Sequence, residues 1–492
     1  MSGYLKRLAH SLGAYQLASI LQKLLAVLLL PVYTARIAPQ GYGIVETLAT
    51  FVIFVSIVVR FGMIESFLRY YFTDRDRARQ DALVRRAVLF LLVTTTLAGV
   101  ALLIPAAPLA RLITSRAVPG SFRIAVLGIW AFTNLELAQA VLRVDERLRA
   151  YAVCATTNVL LTVALSVVLV VVLGDGYNGL LIANYGVSTL VLLGLWWHLR
   201  ERLLPAGGSV SDSMRTLLRF GLPTVPAEAS AYALSVLDRQ YLVHQQGAAA
   251  AGRYAIAVKV AGAVVFLVQA FQYAFPPLAY SVGDDAQAAR LYRLVTTYYV
   301  LIAGWVVAGL TLESRYIIRF LAPHAGYLQA YRAIPWLSLG WALYGLWVVL
   351  LVVAGRARVT RRNFPAALVG LAVNVALLAA LVPGHGIVGA GVALCGAYLA
   401  MLAVMHLLVR RAFAVSFEWL RLAHLVVVLG GLAVAGDLLL PRTGAVGLLA
   451  RALVFAVIPA VLWLTRFPHA QELARLAALL RGARARIGGA GA

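Results

Sequence analysis

Apolar stretches about twenty residues long recur along this chain, for example at 153–173, 294–312 and 337–354, and each can cross a hydrocarbon core of roughly 30 Å. No water is available at that depth. Backbone N–H and C=O groups must therefore pair within the segment, which makes each segment a helix. Charged residues are 13% of the 492, against about 25% in an ordinary soluble domain. The expected fold is an all-α polytopic membrane protein with almost nothing outside the bilayer.

Fourteen helices are expected, near 11–37, 43–71, 83–104, 121–142, 150–173, 177–199, 217–245, 253–280, 291–312, 328–354, 362–382, 386–409, 419–440 and 444–465. The first follows Lys6 and Arg7 and is too long for the apolar region of a signal peptide, so it reads as an uncleaved helix. With both termini cytoplasmic, 29 of the 43 Lys and Arg fall in cytoplasmic segments, nine in external ones and five within spans. This alternation is the positive-inside pattern, and the Ala/Arg/Leu-rich usage suits a GC-rich bacterial genome; the expected location is a bacterial cytoplasmic (inner) membrane. The net charge of +24 is thereby explained by topology, and nucleic acid is not an expected partner. Cys154 and Cys395 lie inside spans without CxxC or His neighbours and read as packing residues. No cofactor or metal motif is present.

The chain also repeats itself. Gly174-Asp-Gly-Tyr-Asn-Gly-Leu-Leu-Ile-Ala183 matches Gly384-His-Gly-Ile-Val-Gly-Ala-Gly-Val-Ala393 at an offset of 210. Gly43-Ile-Val matches Gly252-Arg-Tyr at an offset of 209. A linker-like Pro205-Ala-Gly-Gly-Ser separates the halves. The expected organisation is a six-helix lobe over 1–205, a second over 210–412, two appended helices over 413–466, and a basic cytoplasmic tail over 467–492. Six helices per repeat give both lobes the same orientation about an axis along the membrane normal, an arrangement typical of transporters.

Within the spans lie Lys23, Arg60, Arg239, Lys259 and Arg451, with Glu65, Glu136, Glu228 and Asp238. A basic residue at the centre of a span costs about 2.5–3.5 kcal/mol on insertion scales, and Lys23 and Arg60 are expected near mid-helix. Glu228, Tyr232, Ser235 and Arg239 share one helical face, as do Gln16, Ser19 and Lys23, and Lys259, Gly262, Phe266, Gln269 and Tyr273. Four of the basic residues fall on equivalent helices of the two repeats, which reads as a cationic lumen. Structural ion pairing is the alternative, of Arg239 with Asp238 or Glu228 and of Glu65 with Arg69. Arg451 reads as a packing or snorkelling residue. Pro31, Pro223, Pro226, Pro276 and Pro277 lie on the same helices and favour kinks there, either as hinges or as fixed bends.

Phe220-Gly-Leu-Pro-Thr-Val-Pro226, Leu237-Asp-Arg239 and Ala251-Gly-Arg-Tyr-Ala-Ile-Ala-Val-Lys259 resemble the helix 7–8 region of polysaccharide transport proteins. Gly41-Tyr-Gly43 and Gly386-Ile-Val-Gly-Ala390 fit the same pattern. These are the lipid-linked oligosaccharide flippases, including O-antigen flippases, in the superfamily that also holds MATE exporters and lipid II flippases. The resemblance spans the whole chain. It implies two MATE-like lobes and movement of a polyprenyl-pyrophosphate-linked glycan to the external leaflet by alternating access. Lys23, Arg60, Arg239 and Lys259 would meet the pyrophosphate, and Gln16, Ser19, Glu228, Tyr232, Ser235 and Gln269 would complete the lumen. Membrane lipids, a polysaccharide polymerase and glycosyltransferases are the implied partners.

Three other readings compete. A MATE-type drug or cation antiporter would share the fold, but mostly basic intramembrane charges disfavour a cationic cargo. A membrane glycosyltransferase or polymerase would be an enzyme, and it generally needs a large external loop or an outward-facing acidic pair. The first external loop is only Ala38-Pro-Gln-Gly-Tyr, and Asp74-Arg-Asp76 falls on the cytoplasmic side. A non-transporting scaffold is the fourth. The chain is expected to be a transporter and not an enzyme.

Overall fold

The computed structural model describes residues 27–73, 76–203 and 213–467. Most of the expected first helix, the linker at Pro205, the Asp74–Arg75 pair and the basic tail lie outside the described residues. In chain order the helices are α1 (Leu30–Arg36), α2 (Pro39–Val59), α3 (Met63–Tyr71), α4 (Arg77–Leu103), α5 (Ala106–Thr114), α6 (Pro119–Val144), α7 (Leu148–Val167), α8 (Gly176–His198) and α9 (Arg200–Leu203). There follow α10 (Met214–Gly221), α11 (Thr224–Gln246), α12 (Ala248–Ser281), α13 (Asp285–Leu321), α14 (Ile334–Arg356), α15 (Asn363–Val409), α16 (Trp419–Leu439) and α17 (Gly444–Leu464). No strand occurs among the described residues.

Eleven helical stretches among the described residues are long and apolar enough to cross a membrane. Of the expected fourteen, most of the helix at 11–37 lies outside the described residues. The helices expected at 362–382 and 386–409 are both present in α15, which folds back at Gly386 (φ 54°, ψ −128°) and sets Gly370 against Met401 and Gly396 against Leu377. The charges of Glu228, Asp238 and Arg239 make α11 too polar to count. On α4 the residues Leu89, Val93, Leu97 and Val100, with Ile104 just beyond it, form an exposed apolar stripe at helical spacing, while Leu83, Val84, Ala87 and Leu91 are buried. A stripe of that size suits acyl chains, not water.

The described chain forms two compact units. The first takes in residues up to Ile256 together with Ile318–Ala330 and Leu378–Ala390. Its central helix is α6, where buried Ala125, Ile129, Ala131, Ala138 and Ala140 let α4 and α8 come close. The polar groups there are paired: the Thr133 hydroxyl donates to Ser56 Oγ at 2.9 Å, and Asn134 Nδ2 donates to Thr95 Oγ1 at 3.1 Å.

The second unit comprises Ala257–Ile317, Tyr331–Leu377 and the chain from Gly391. Trp347, Val349 and Val353 of α14 pack with Phe275, Tyr292 and Met405. The α16–α17 hairpin is fastened to α13 along its length. Trp305 stacks on Phe455 with ring centroids 4.8 Å apart. Arg451, completely buried, donates to the Leu312 carbonyl at 2.9 Å and to Asp437 at 3.3 Å. Glu418 accepts from Thr297 at 2.9 Å and from Arg421 at 2.8 Å.

Two expected helices are broken. The 43–71 span divides after Val59, because Phe61 and Gly62 take positive φ (48° and 67°) before α3 begins. The chain can make that turn because Gly62 has no side chain: a Cβ there would lie 2.0 Å from the Gly221 carbonyl oxygen. The 217–245 span divides at Leu222–Pro223, between α10 and α11. Arg60 therefore caps the end of a 21-residue helix and does not sit mid-helix as expected.

The glycines that align at an offset of 209 meet in the first unit. A Cβ on Gly43 would lie 1.8 Å from the Ala248 carbonyl oxygen, and one on Gly252 would lie 1.9 Å from the Pro39 carbonyl oxygen. Pro39 and Ala248 are themselves 209 apart and begin α2 and α12. The contact is thus reciprocal, as across a twofold axis.

Gly62→Ala should lower stability by about 1–3 kcal/mol, through backbone strain and the clash with Gly221. Thermal unfolding of the purified protein in detergent reads the loss.

Candidate functional site

The break after Val59 turns the Arg60 side chain into the first unit, where it is 5% exposed. A guanidinium buried this deeply needs anionic partners, and three helices supply them. Nη1 donates to Glu136 of α6 at 2.9 Å, Nη2 donates to Glu228 of α11, and Glu65 of α3 lies 3.8 Å away. The three carboxylate side chains remain 32%, 34% and 37% exposed. Arg60 Nε has no acceptor. The constellation is one buried cation ringed by three half-open carboxylates.

A second cluster lies farther along α2 and α11. Arg239 donates to Glu46 at 3.1 Å and to the Thr50 hydroxyl at 3.2 Å. Asp238 accepts from the Arg239 backbone N–H at 2.8 Å and from the hydroxyl of buried Tyr254 on α12. The Tyr232 hydroxyl donates to the Thr50 carbonyl at 3.4 Å, and Ser235 donates to the Tyr232 carbonyl at 2.7 Å. The polar stripe Glu228–Tyr232–Arg239 thus lies against α2 along much of its length. Ser235 is exposed.

Two of the four basic residues expected in a cationic lumen, Arg60 and Arg239, are paired with carboxylates. Arg60 and Arg239 together face Glu65, Glu136, Glu228, Glu46 and Asp238, so carboxylates outnumber guanidiniums in the described clusters. The partner of Arg239 is Glu46, with Asp238 beside it, while Glu228 and Glu65 serve Arg60. Lys259 and Gln269 are half-buried on the part of α12 that belongs to the second unit. Lys23, Gln16 and Ser19 lie outside the described residues. Among the prolines, Pro31 stands in the first turn of α1, Pro223 caps α11 and Pro226 opens it. Pro276 and Pro277 lie inside α12, which continues to Ser281.

Glu46 was missed by sequence reasoning. Its one signal is the Glu46–Thr50 pair, four apart and so on one face just inside Gly43.

Broken helices, buried ion pairs and lipid-facing stripes define a polytopic helical membrane protein. The sequence profile of the polysaccharide biosynthesis protein family matches residues 34–324, and the chain belongs to this family. No curated protein sequence matches it. Several solved structures share its fold. Lipid II flippase MurJ, in an inward closed conformation, superposes with a TM-score of 0.69 at 11% identity, covering 92% of this chain and 99% of that one. An inward-facing multidrug resistance MATE transporter of the MOP superfamily gives 0.62 at 13%, covering 82% and 95%. The Vibrio cholerae MATE transporter VcmN gives 0.51 at 13%, covering 82% and 94%.

Arg60→Gln leaves three carboxylates without their shared cation and should destabilise by about 3–5 kcal/mol. Glu136→Gln leaves Arg60 two carboxylates, so its loss should be clearly smaller. Equal losses in detergent unfolding would show that the three acids do not share Arg60.

Proposed function

We propose that the protein is a transporter that flips a polyprenyl-pyrophosphate-linked oligosaccharide from the cytoplasmic to the external leaflet, by alternating access, during assembly of a surface polysaccharide. It works in a bacterial cytoplasmic membrane with both termini inside, beside the glycosyltransferases and polymerase that make and extend the glycan. The observation that carries this reading is the polysaccharide biosynthesis profile across residues 34–324. The fold shared with a protein described as a lipid II flippase supports a lipid-linked cargo.

Arg60 is the guanidinium we assign to the diphosphate. Its Nε lacks an acceptor, and the carboxylates around it are open enough to be displaced. Planar bidentate recognition by Arg suits phosphate oxygens better than a lysine ammonium does. Within the first unit, Tyr232 and Ser235 offer hydrogen bonds to glycan hydroxyls. Bending at Pro31, Pro223, Pro226, Pro276 and Pro277 would accompany the change of access. An inside-negative potential favours outward passage of an anion by about 2.3 kcal/mol per charge per 100 mV.

The carboxylate surplus around Arg60 favours a second reading, an antiporter of cationic compounds. Deleting the gene in its source cell separates the two. The flippase reading expects loss of surface glycan and build-up of lipid-linked glycan inside. It also expects restoration by the wild-type chain, and at least roughly tenfold less by Arg60→Ala at equal membrane level, the loss expected when a charged contact of ~1.4 kcal/mol or more is removed. Unchanged surface glycan together with new sensitivity to cationic drugs would install the antiporter instead.

A further inference from the structure

Gly43 and Gly252 stand four residues into α2 and α12, each against the first carbonyl of the other helix. Glycine at 43 and at 252 lets the two backbones touch without side chains between them. Nearby chain ends are drawn to the same place. Tyr327, on the 325–332 turn, donates its hydroxyl to the Ile37 carbonyl at 2.8 Å. The Thr34 hydroxyl donates to the Leu321 carbonyl at 2.9 Å. On the expected topology these are external segments, where Arg36, Arg253 and Arg332 are the few basic residues.

We infer that the Gly43–Gly252 contact is the external gate of the transport path, a main-chain clamp on the axis that relates the two repeats. The closing surfaces are backbone, so the gate shuts dry and parts without uncovering a large apolar side chain. Its reciprocity has a sharp consequence: a methyl at either glycine meets a carbonyl oxygen at nearly the same distance. Gly43→Ala and Gly252→Ala should therefore share one phenotype, although they lie 209 residues apart. The inference rests on the alternating-access reading and not on the identity of the cargo.

Ser235 reports on the gate. It is exposed on α11 and lies 11 residues before Gln246, the end of that helix at the clamp, or about 16 Å inward at 1.5 Å per residue. With Cys154 and Cys395 replaced by serine, Ser235→Cys is labelled by a membrane-impermeant maleimide added outside intact cells. Each glycine-to-alanine variant should speed that labelling roughly tenfold by shifting the population to the open form. Gly194→Ala, where a Cβ meets nothing within 4 Å, should leave it unchanged. Parental labelling in either clamp variant, at normal membrane level, overturns the gate and makes the contact a fixed pivot.

Should an alanine variant fail to accumulate, Pro39→Cys with Ala248→Cys joined by a short bifunctional maleimide tests the same point. The joined protein should stop exporting surface glycan and should shield Ser235→Cys from outside labelling. Failure to join, or labelling that persists in the joined protein, overturns the inference. Loss of shielding speaks against the gate alone, whereas a normal gate with unaffected glycan speaks against the flippase reading alone.

Discussion

A guanidinium set among hydrocarbon-facing helices has to be neutralised by whatever carboxylates neighbouring helices can bring, and in this protein that requirement organises the first unit. Arg60 gathers Glu65, Glu136 and Glu228 from three helices, and Arg239 gathers Glu46. Because α11 contributes to both clusters, its polar stripe is tied to α2 along much of its length. The break after Val59 serves the same arrangement. An unbroken helix would carry Arg60 past its partners, whereas the positive-φ turn at Phe61 and Gly62 leaves it at a helix end. Non-helical backbone at such depth persists only where protein or a polar cavity satisfies it.

Neutralisation also sets the chemistry available for transport. A lone buried cation would bind an anionic head group strongly and release it slowly. On the proposed reading, a cation already shared among three carboxylates would exchange one set of oxygens for another, keeping the empty and occupied states closer in energy. This is a different picture from a uniformly positive funnel. It also removes the charge-based objection to a cationic cargo, so family membership and not electrostatic sign carries the choice between the two readings.

Span positions were legible from hydropathy because the bilayer imposes a length, and the offset between Gly43 and Gly252 was legible because both begin a helix at the same place in a repeat. The break at Phe61–Gly62 was hidden: Phe61, Met63 and Ile64 keep the apolar run going, and hydropathy does not record φ. The partners of Arg60 were equally hidden. Glu136 and Glu228 stand 76 and 168 residues away, and helical spacing relates only near neighbours. Sequence did mark the polar face of α11, yet could not show that its counterpart is α2, since Glu46 and Thr50 make only a single-turn signature.

The fastening of the last two helices bears on biogenesis. Arg451 has no exposure at all, and its counter-charge Asp437 sits on the preceding helix. A translocon presented with α17 alone would have to release a bare guanidinium into lipid, whereas α16 brings Asp437 as its counter-charge. The pairing favours insertion of the two helices together. Damage to Asp437 would surface as a faulty membrane insertion of the C-terminal hairpin, before any question of transport arises.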